Sequence, residues 1–481
     1  MISWDEYLLL CTGGVILAGS VIGWKRVIDI RNYSAAFLLV MYTTYVIRPY
    51  AAYTFDKGLI TLEPYLPGMS YMAERDNGIL ALIFCAALFF FALGYRFAYW
   101  RYSRVARITH PAGELSSRAL ILYSHFSLLI ILAGYSSFFL ARRGFLGFGG
   151  GPIKYIQTDS GTILGNTTGY LELANYLVIT GLLLYYASTR KLHWTLLFAA
   201  PWIINQIYFG WARFMLIVLG LGLLGVWLAH GYERRASLRQ GLLVLSIGVL
   251  SITLLILMRS NREFLRQGES LDALVEGLQT SSLDNALGDF SGFEGTWFMV
   301  STMGYRRPLY GSTIVYNLLI KPIPRLLWRD KFLLREFTWY DLFQDQSYQS
   351  YLYTTLGESE DLWYKGPVRG SIGYALEEWG WAGITITFII TGLFLGWIQM
   401  RVSRANRNNP AWIAAYAATY GMIGMLGRND LFYLLTHHIL LFYLPYFLIN
   451  VWVKQQIGFE ATENHHPSVP ALEKKLKNIQ R

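Results

Sequence analysis

Apolar runs alternating with short basic connectors dominate this sequence and limit the folds open to it. Most of the runs are about 17–24 residues long, the length at which a helix crosses a hydrocarbon layer. They are read at about Tyr7–Trp24, Tyr33–Tyr53, Gly78–Phe97, Ala119–Leu140, Leu171–Ala187, Trp194–Phe209, Ala212–Ala229, Gly241–Met258, Ala375–Met400, Ala411–Met425 and Leu431–Val453. Hydrocarbon offers backbone amides no hydrogen bonds, so such runs fold as helices. The expected fold is an all-α polytopic membrane protein of about eleven spans.

The charges orient these spans. With the amino terminus outside, five connectors and the carboxyl tail face inward. They carry Lys25, Arg26 and Arg31; the Arg101–Arg118 set; Arg190 and Lys191; Arg234, Arg235 and Arg239; Arg401, Arg404 and Arg407; and the lysines near 474–477. The acidic 55–77 loop falls outside, with Arg142 and Arg143 as exceptions. This is positive-inside bias. It accounts for a net charge of +10 without a nucleic-acid partner. The chain divides into spans over 1–258, a large outer loop over 259–374, further spans over 375–453 and a cytoplasmic tail over 454–481. The expected location is a membrane, crossed many times, with the amino terminus on the outer face and membrane lipids as partners. Asp5 and Glu6 precede the first run, which argues against a cleavable signal peptide. Cys11 and Cys85 lie inside spans and read as small buried hydrophobes, not a disulfide. There is no CxxC, HExxH or P-loop, and neither a cofactor nor a metal is expected.

The insert Arg259–Tyr374 is too long for a passive link between packed helices. Residues 262–289 read as a polar amphipathic helix, suited to a membrane surface or to the loop's own core. Residues 296–320 read as membrane-associated or re-entrant helices packed on protein.

Outward helix ends carry five arginines, each beside or near Gly or Pro: Arg48, Arg213, Arg325, Arg369 and Arg428. Positive-inside bias disfavours arginine there, although snorkelling is an alternative. A planar guanidinium fork suits a pyrophosphate. Arg213, Arg369 and Arg428 are the leading candidates to converge; Arg325 fits equally well as a loop-orienting residue, and Arg48 is the weakest.

Acid–base candidates are fewer. Glu377 and Glu378 open the ninth span, where two carboxylates are costly unless paired or functional; the alternative is pairing with the helix macrodipole. His437 and His438 lie inside the eleventh span and serve either as a general base or in helix–helix hydrogen bonds. Asp430 would orient Arg428 or cap that span, and Tyr374 is grouped with it as a supporting residue. Trp339, Tyr340, Trp363 and Tyr364 offer stacking surfaces for sugar rings or fill the loop core.

The run Pro322-Ile323-Pro324-Arg325-Leu326-Leu327-Trp328 with Lys331, the Gly-rich segment before Glu378, and Arg213 at the head of a middle span carry a resemblance. The chain resembles the bacterial oligosaccharide repeat-unit polymerases, or O-antigen polymerases, which are related to the O-antigen ligases and have a glycosyltransferase C-like architecture. The motifs cover roughly 205–215 and 305–385; elsewhere the likeness is one of topology. It implies that a glycan on undecaprenyl pyrophosphate is transferred to the nonreducing end of a new lipid-linked unit. The arginines would stabilise the leaving pyrophosphate. A carboxylate or histidine would deprotonate the acceptor. A chain-length regulator and a flippase are implied as partners. No motif chooses between Glu378 and His437. The nearest alternative is ligase-type transfer to another acceptor. A polyprenyl-phosphate-sugar transferase fits less well, because Asp56 and Glu63 are not an adjacent pair. A flippase fits less well still, because no inverted repeat is visible.

Overall fold

Length and apolarity produce the helices, and small residues bring them together. A computed structural model describes residues 2–55, 74–105, 116–142, 155–158, 161–164, 174, 176–209, 213–230, 292–301, 308–315, 370–402, 408–427 and 439–463. In these residues the protein is all-α apart from one hairpin. Trp4–Ile22 (α1) starts on a reciprocal cap: the Ser3 hydroxyl accepts from the Glu6 amide at 3.2 Å, and the Glu6 carboxylate accepts from the Ser3 amide at 2.7 Å. Next come Trp24–Val27 (α2), Tyr33–Tyr42 (α3), a π turn over Thr43–Ile47, and Arg48–Phe55 (α4). Glu74–Val105 (α5) and Ser117–Arg142 (α6) are long. Tyr155–Thr158 (β1) pairs antiparallel with Gly161–Leu164 (β2), inside what the sequence presents only as a Gly-rich loop.

Leu177–Thr189 (α7), Leu192–Phe209 (α8) and Arg213–His230 (α9) follow. Gly292–Ser301 (α10) and Ser312–Val315 (α11) belong to the insert. Gly370–Trp379 (α12), Trp381–Met400 (α13), Pro410–Ile423 (α14) and, after a second π turn at Ile439–Tyr443, Leu444–Glu463 (α15) complete the described chain. Among the described residues four segments are long and apolar enough to cross a membrane: Trp4–Ile22, Asp76–Tyr102, Ser117–Ser137 and Trp381–Met400. Shorter apolar helices cover Leu177–Thr189, Leu192–Ile204 and Met215–His230. The eighth run, 241–258, and the amphipathic stretch 262–289 lie outside the described residues.

Contacts fix the direction of each helix. Asn77 reaches the Ile2 carbonyl, Cys85 the Leu10 carbonyl and Arg96 the Val21 carbonyl, a constant offset of 75, so α1 and α5 are parallel. The α5–α13 pair is also parallel. A Cβ on Gly392 would lie 2.7 Å from the Tyr95 nitrogen, and one on Gly396 would lie 2.8 Å from the Ala98 Cβ. Small residues four apart let the two backbones touch. Helix α3 runs against α1, with Tyr7 bonded to Tyr45 and Thr12 to Tyr42. Helix α9 runs against α14: a Cβ on Gly225 would meet Ala417, and one on Gly421 would meet Val218. Consequently His230 and Gly292 lie at opposite ends of the bundle. The end carrying Trp4 is called the near end below.

Three prolines open helices that a neighbour then closes. Pro49 has no N–H, so the Tyr45 carbonyl loses its helical donor. The chain widens there: the Arg48 amide bonds to Thr43, five residues back, and the Tyr7 hydroxyl donates to the Tyr45 carbonyl at 2.7 Å. Pro445 leaves the Leu441 carbonyl to the Thr180 hydroxyl at 2.6 Å. Beside Pro201 the Tyr135 hydroxyl donates to the Phe198 carbonyl at 2.7 Å and accepts from the Trp202 amide at 3.1 Å. At Pro49 and Pro445 a hydroxyl from another helix takes up the carbonyl that the proline released, while at Pro201 the Tyr135 hydroxyl bridges the next carbonyl–amide pair along, Phe198 and Trp202.

Both cysteines are free, Cys11 buried and Cys85 half-buried.

Candidate functional site

The near end is built around three glycines from distant parts of the chain. A Cβ on Gly292 would collide with the Gly427 carbonyl and lie 3.0 Å from the Gly370 Cα. One on Gly370 would run into the Tyr45 hydroxyl, and one on Gly427 into the Thr44 hydroxyl. Backbone therefore meets backbone, against two consecutive residues of the first π turn. Gly370 has φ +63°, a conformation that favours glycine. The Ile372 amide donates to the Tyr45 hydroxyl at 3.3 Å, which fixes the start of α12 on the π turn.

Helix α10 carries this junction onto the rest of the bundle. Phe293 is fully buried and its ring meets Trp4 and Tyr7. The Trp297 indole donates to the Asp76 carboxylate at 3.2 Å, at the start of α5. Over its described residues α10 lies at the near end, held by Phe293 and Trp297.

Glu377 and Glu378 do not open the ninth span. They lie in the last turn of α12, which Gly380, at φ +57°, separates from α13. This corrects the sequence expectation and reverses its electrostatics. The glutamates sit at the negative end of a helix, so the macrodipole gives no reason for carboxylates there. Both side chains are nevertheless buried, Glu377 at 1% exposure and Glu378 at 4%. Their main-chain carbonyls accept from Leu309 at 2.9 Å and Tyr310 at 2.6 Å, so the 309–310 turn caps α12. Gly311, at φ +84°, lets that turn lie against the Trp379 ring. Tyr374 is half-buried, one turn ahead of the glutamates.

Arg48 is half-buried and directly follows the π turn. Arg213 is the first residue of α9. That helix start is also at the near end, because Ile217, one turn on, lies against Gly424. Arg325, Arg369, Arg428, Asp430, His437 and His438 lie outside the described residues. Two of them have described covalent neighbours: Arg369 precedes Gly370 and Arg428 follows Gly427. These are the glycines that meet at Gly292.

Thr44, Tyr45, Gly292 and Trp297 also shape this end and were not candidates from sequence. The signal for the glycines was the Gly–Arg adjacency at 369–370 and 427–428. For the π turn it was Pro49, which forces a nearby carbonyl to find another donor. Among the described residues no cluster of His, Cys, Asp and Glu could hold a metal ion. Compared with known proteins, the chain matches no family model, no curated protein and no solved structure.

Proposed function

We propose that this chain polymerises undecaprenyl-pyrophosphate-linked oligosaccharide repeat units on the outer face of a bacterial inner membrane. The observation that carries the reading is the junction of Gly370 and Gly427 on Gly292. Arg369 and Arg428, more than fifty residues apart in sequence, are each one peptide bond from it. The starts of α4 and α9, at Arg48 and Arg213, are at the same end. Buried Glu377 and Glu378 lie two turns along α12. Cations and a buried carboxylate pair attached to one end of a membrane bundle suit a substrate with a pyrophosphate head and a lipid tail.

The reaction is the one that the family resemblance implies. The nonreducing-end hydroxyl of a new unit attacks the anomeric carbon of the growing glycan's first sugar. A C–O bond forms there and the bond to the pyrophosphate oxygen breaks. The arginines hold the pyrophosphate, which is dianionic in the donor and gains a further negative charge as the bond to the sugar breaks, so they act where charge develops in the transition state. Glu378 or His437 takes the acceptor proton, with Glu377 and His438 as their neighbours. The near end faces outward, in keeping with the basic connectors at the far end.

The test uses purified protein in proteoliposomes with lipid-linked repeat units. Ladder products from the wild type, and none from Arg369→Ala or Arg428→Ala in folded protein, are the expected result. A single transfer to a different acceptor would replace this reading with a ligase, and movement without bond formation would replace it with a flippase. Full ladders from both variants would remove the arginines from the mechanism.

A further inference from the structure

We propose a binding site for an anionic phospholipid headgroup at the far end, between the α1–α2 bend and α5. It is independent of the reaction assigned to the near end. Val21 and Arg96 mark the level at which α1 and α5 leave the membrane. Asn77 is level with Ile2, and Arg96, bonded to Val21, is nineteen residues further along a parallel helix. That run of helix spans about 30 Å, the thickness of a hydrocarbon layer. Arg96 is therefore at headgroup depth, and the last turns of α5 extend beyond it.

Three cations gather there. The Arg96 guanidinium donates to the Val21 carbonyl at 2.9 Å, and the Arg26 guanidinium donates to the Ile22 carbonyl at 2.7 Å. These are last-turn carbonyls of α1, which Gly23 ends at φ +101°. Arg26 also lies 3.8 Å over the Tyr99 ring of α5. Each guanidinium is thus held by one contact to the helix end, with further N–H groups to offer. Lys25 is exposed beside Arg26.

Two features show what covers these cations. Trp24 and Trp100 flank them and are 44% and 48% exposed, as indoles at a membrane interface are. Trp24 folds back onto Gly19, 3.0 Å from where a Cβ would stand, so its ring covers the last turn of α1. Asp29, on the same bend, is engaged by Arg31 at 2.7 Å. Fixed cations at headgroup depth between interfacial indoles suit a lipid phosphate whose charge no cationic headgroup neutralises.

The experiment delipidates full-length protein and titrates it with phosphatidylglycerol or phosphatidylcholine of the same acyl chains, reading bound lipid by native mass spectrometry. The expected result is selective binding of phosphatidylglycerol. In Arg26→Gln/Arg96→Gln that selection falls roughly thirtyfold, from two basic contacts. Lys191→Gln, an exposed far-end cation on another connector, retains it. Inorganic phosphate should not displace the lipid. Equal loss in Lys191→Gln, or unchanged selection in the double variant, would overturn the site in favour of diffuse surface charge. Competition by inorganic phosphate would replace a lipid site with a free-anion site. Should the double variant not fold, photoactivatable phosphatidylglycerol on the wild type decides the question. Labelling concentrated at 21–31 and 93–102 is expected, and labelling spread evenly over all far-end connectors would overturn it.

Discussion

Gly292 and Gly370 touch through their main chains: a Cβ built on Gly370 would stand 2.8 Å from the Gly292 Cα and 2.9 Å from its carbonyl oxygen. Gly370→Ala should therefore part the junction as well as strain a residue at φ +63°. The strain alone is about 1–3 kcal/mol. Gly13→Ala is the control, since a Cβ there meets nothing within 4 Å. It should be neutral, or stabilising by about 0.5–1 kcal/mol. Thermal unfolding in detergent separates the two, and equal melting temperatures would contradict the tight contact.

Tyr7 and Pro49 should be coupled. Tyr7→Phe removes the donor to a buried carbonyl that Pro49 left open, a loss of about 1–3 kcal/mol. In a Pro49→Ala background residue 49 regains an N–H, and the Tyr45 carbonyl has a donor on its own helix. The cost of Tyr7→Phe should then shrink. A double-mutant cycle on unfolding measures this, and additive costs would mean that the proline is not the cause of the contact.

Glu378→Gln should leave the fold in place, because its bond to Tyr310 runs through the main-chain carbonyl. If the side chain takes the acceptor proton, initial ladder rates drop by roughly 10²–10⁴. A rate like that of the wild type would transfer the role to His437.

Asn450 joins three helices. It accepts from Tyr123 at 3.0 Å and from the Asn409 side chain at 2.7 Å, while Asn409 caps α14. Asn450→Leu should destabilise by roughly 0.5–2 kcal/mol, the range for hydrogen bonds between membrane helices. Tyr123→Phe should add little in that background and more in the wild type, read by the same unfolding assay.

That the chain forms several long apolar helices was legible from run length. Tyr7, Tyr33, Phe91 and Tyr416 sit in apolar runs and are buried in helices. The ends were less so. Hydropathy carries the ninth run from Ala375 straight through Gly380, although that glycine is the residue type a helix-ending positive φ favours. The glutamates therefore read as the opening of a span when they close a separate helix. The hairpin at Tyr155–Leu164 was hidden in the same way, because four-residue strands in a glycine-rich stretch have little periodicity.

Transfer between water and hydrocarbon acts on each segment by itself. Helix formation, the approximate spans and the segregation of basic connectors therefore follow from the sequence read one run at a time. The meeting of Gly292, Gly370 and Gly427, and the hydroxyls that answer Pro49, Pro201 and Pro445, belong to pairs of residues far apart in the chain. Glycine packs closely only when another backbone arrives, and a released carbonyl gains a donor only from the helix that happens to lie beside it. Those partners exist only once the helices are packed, so the tertiary structure alone decides them.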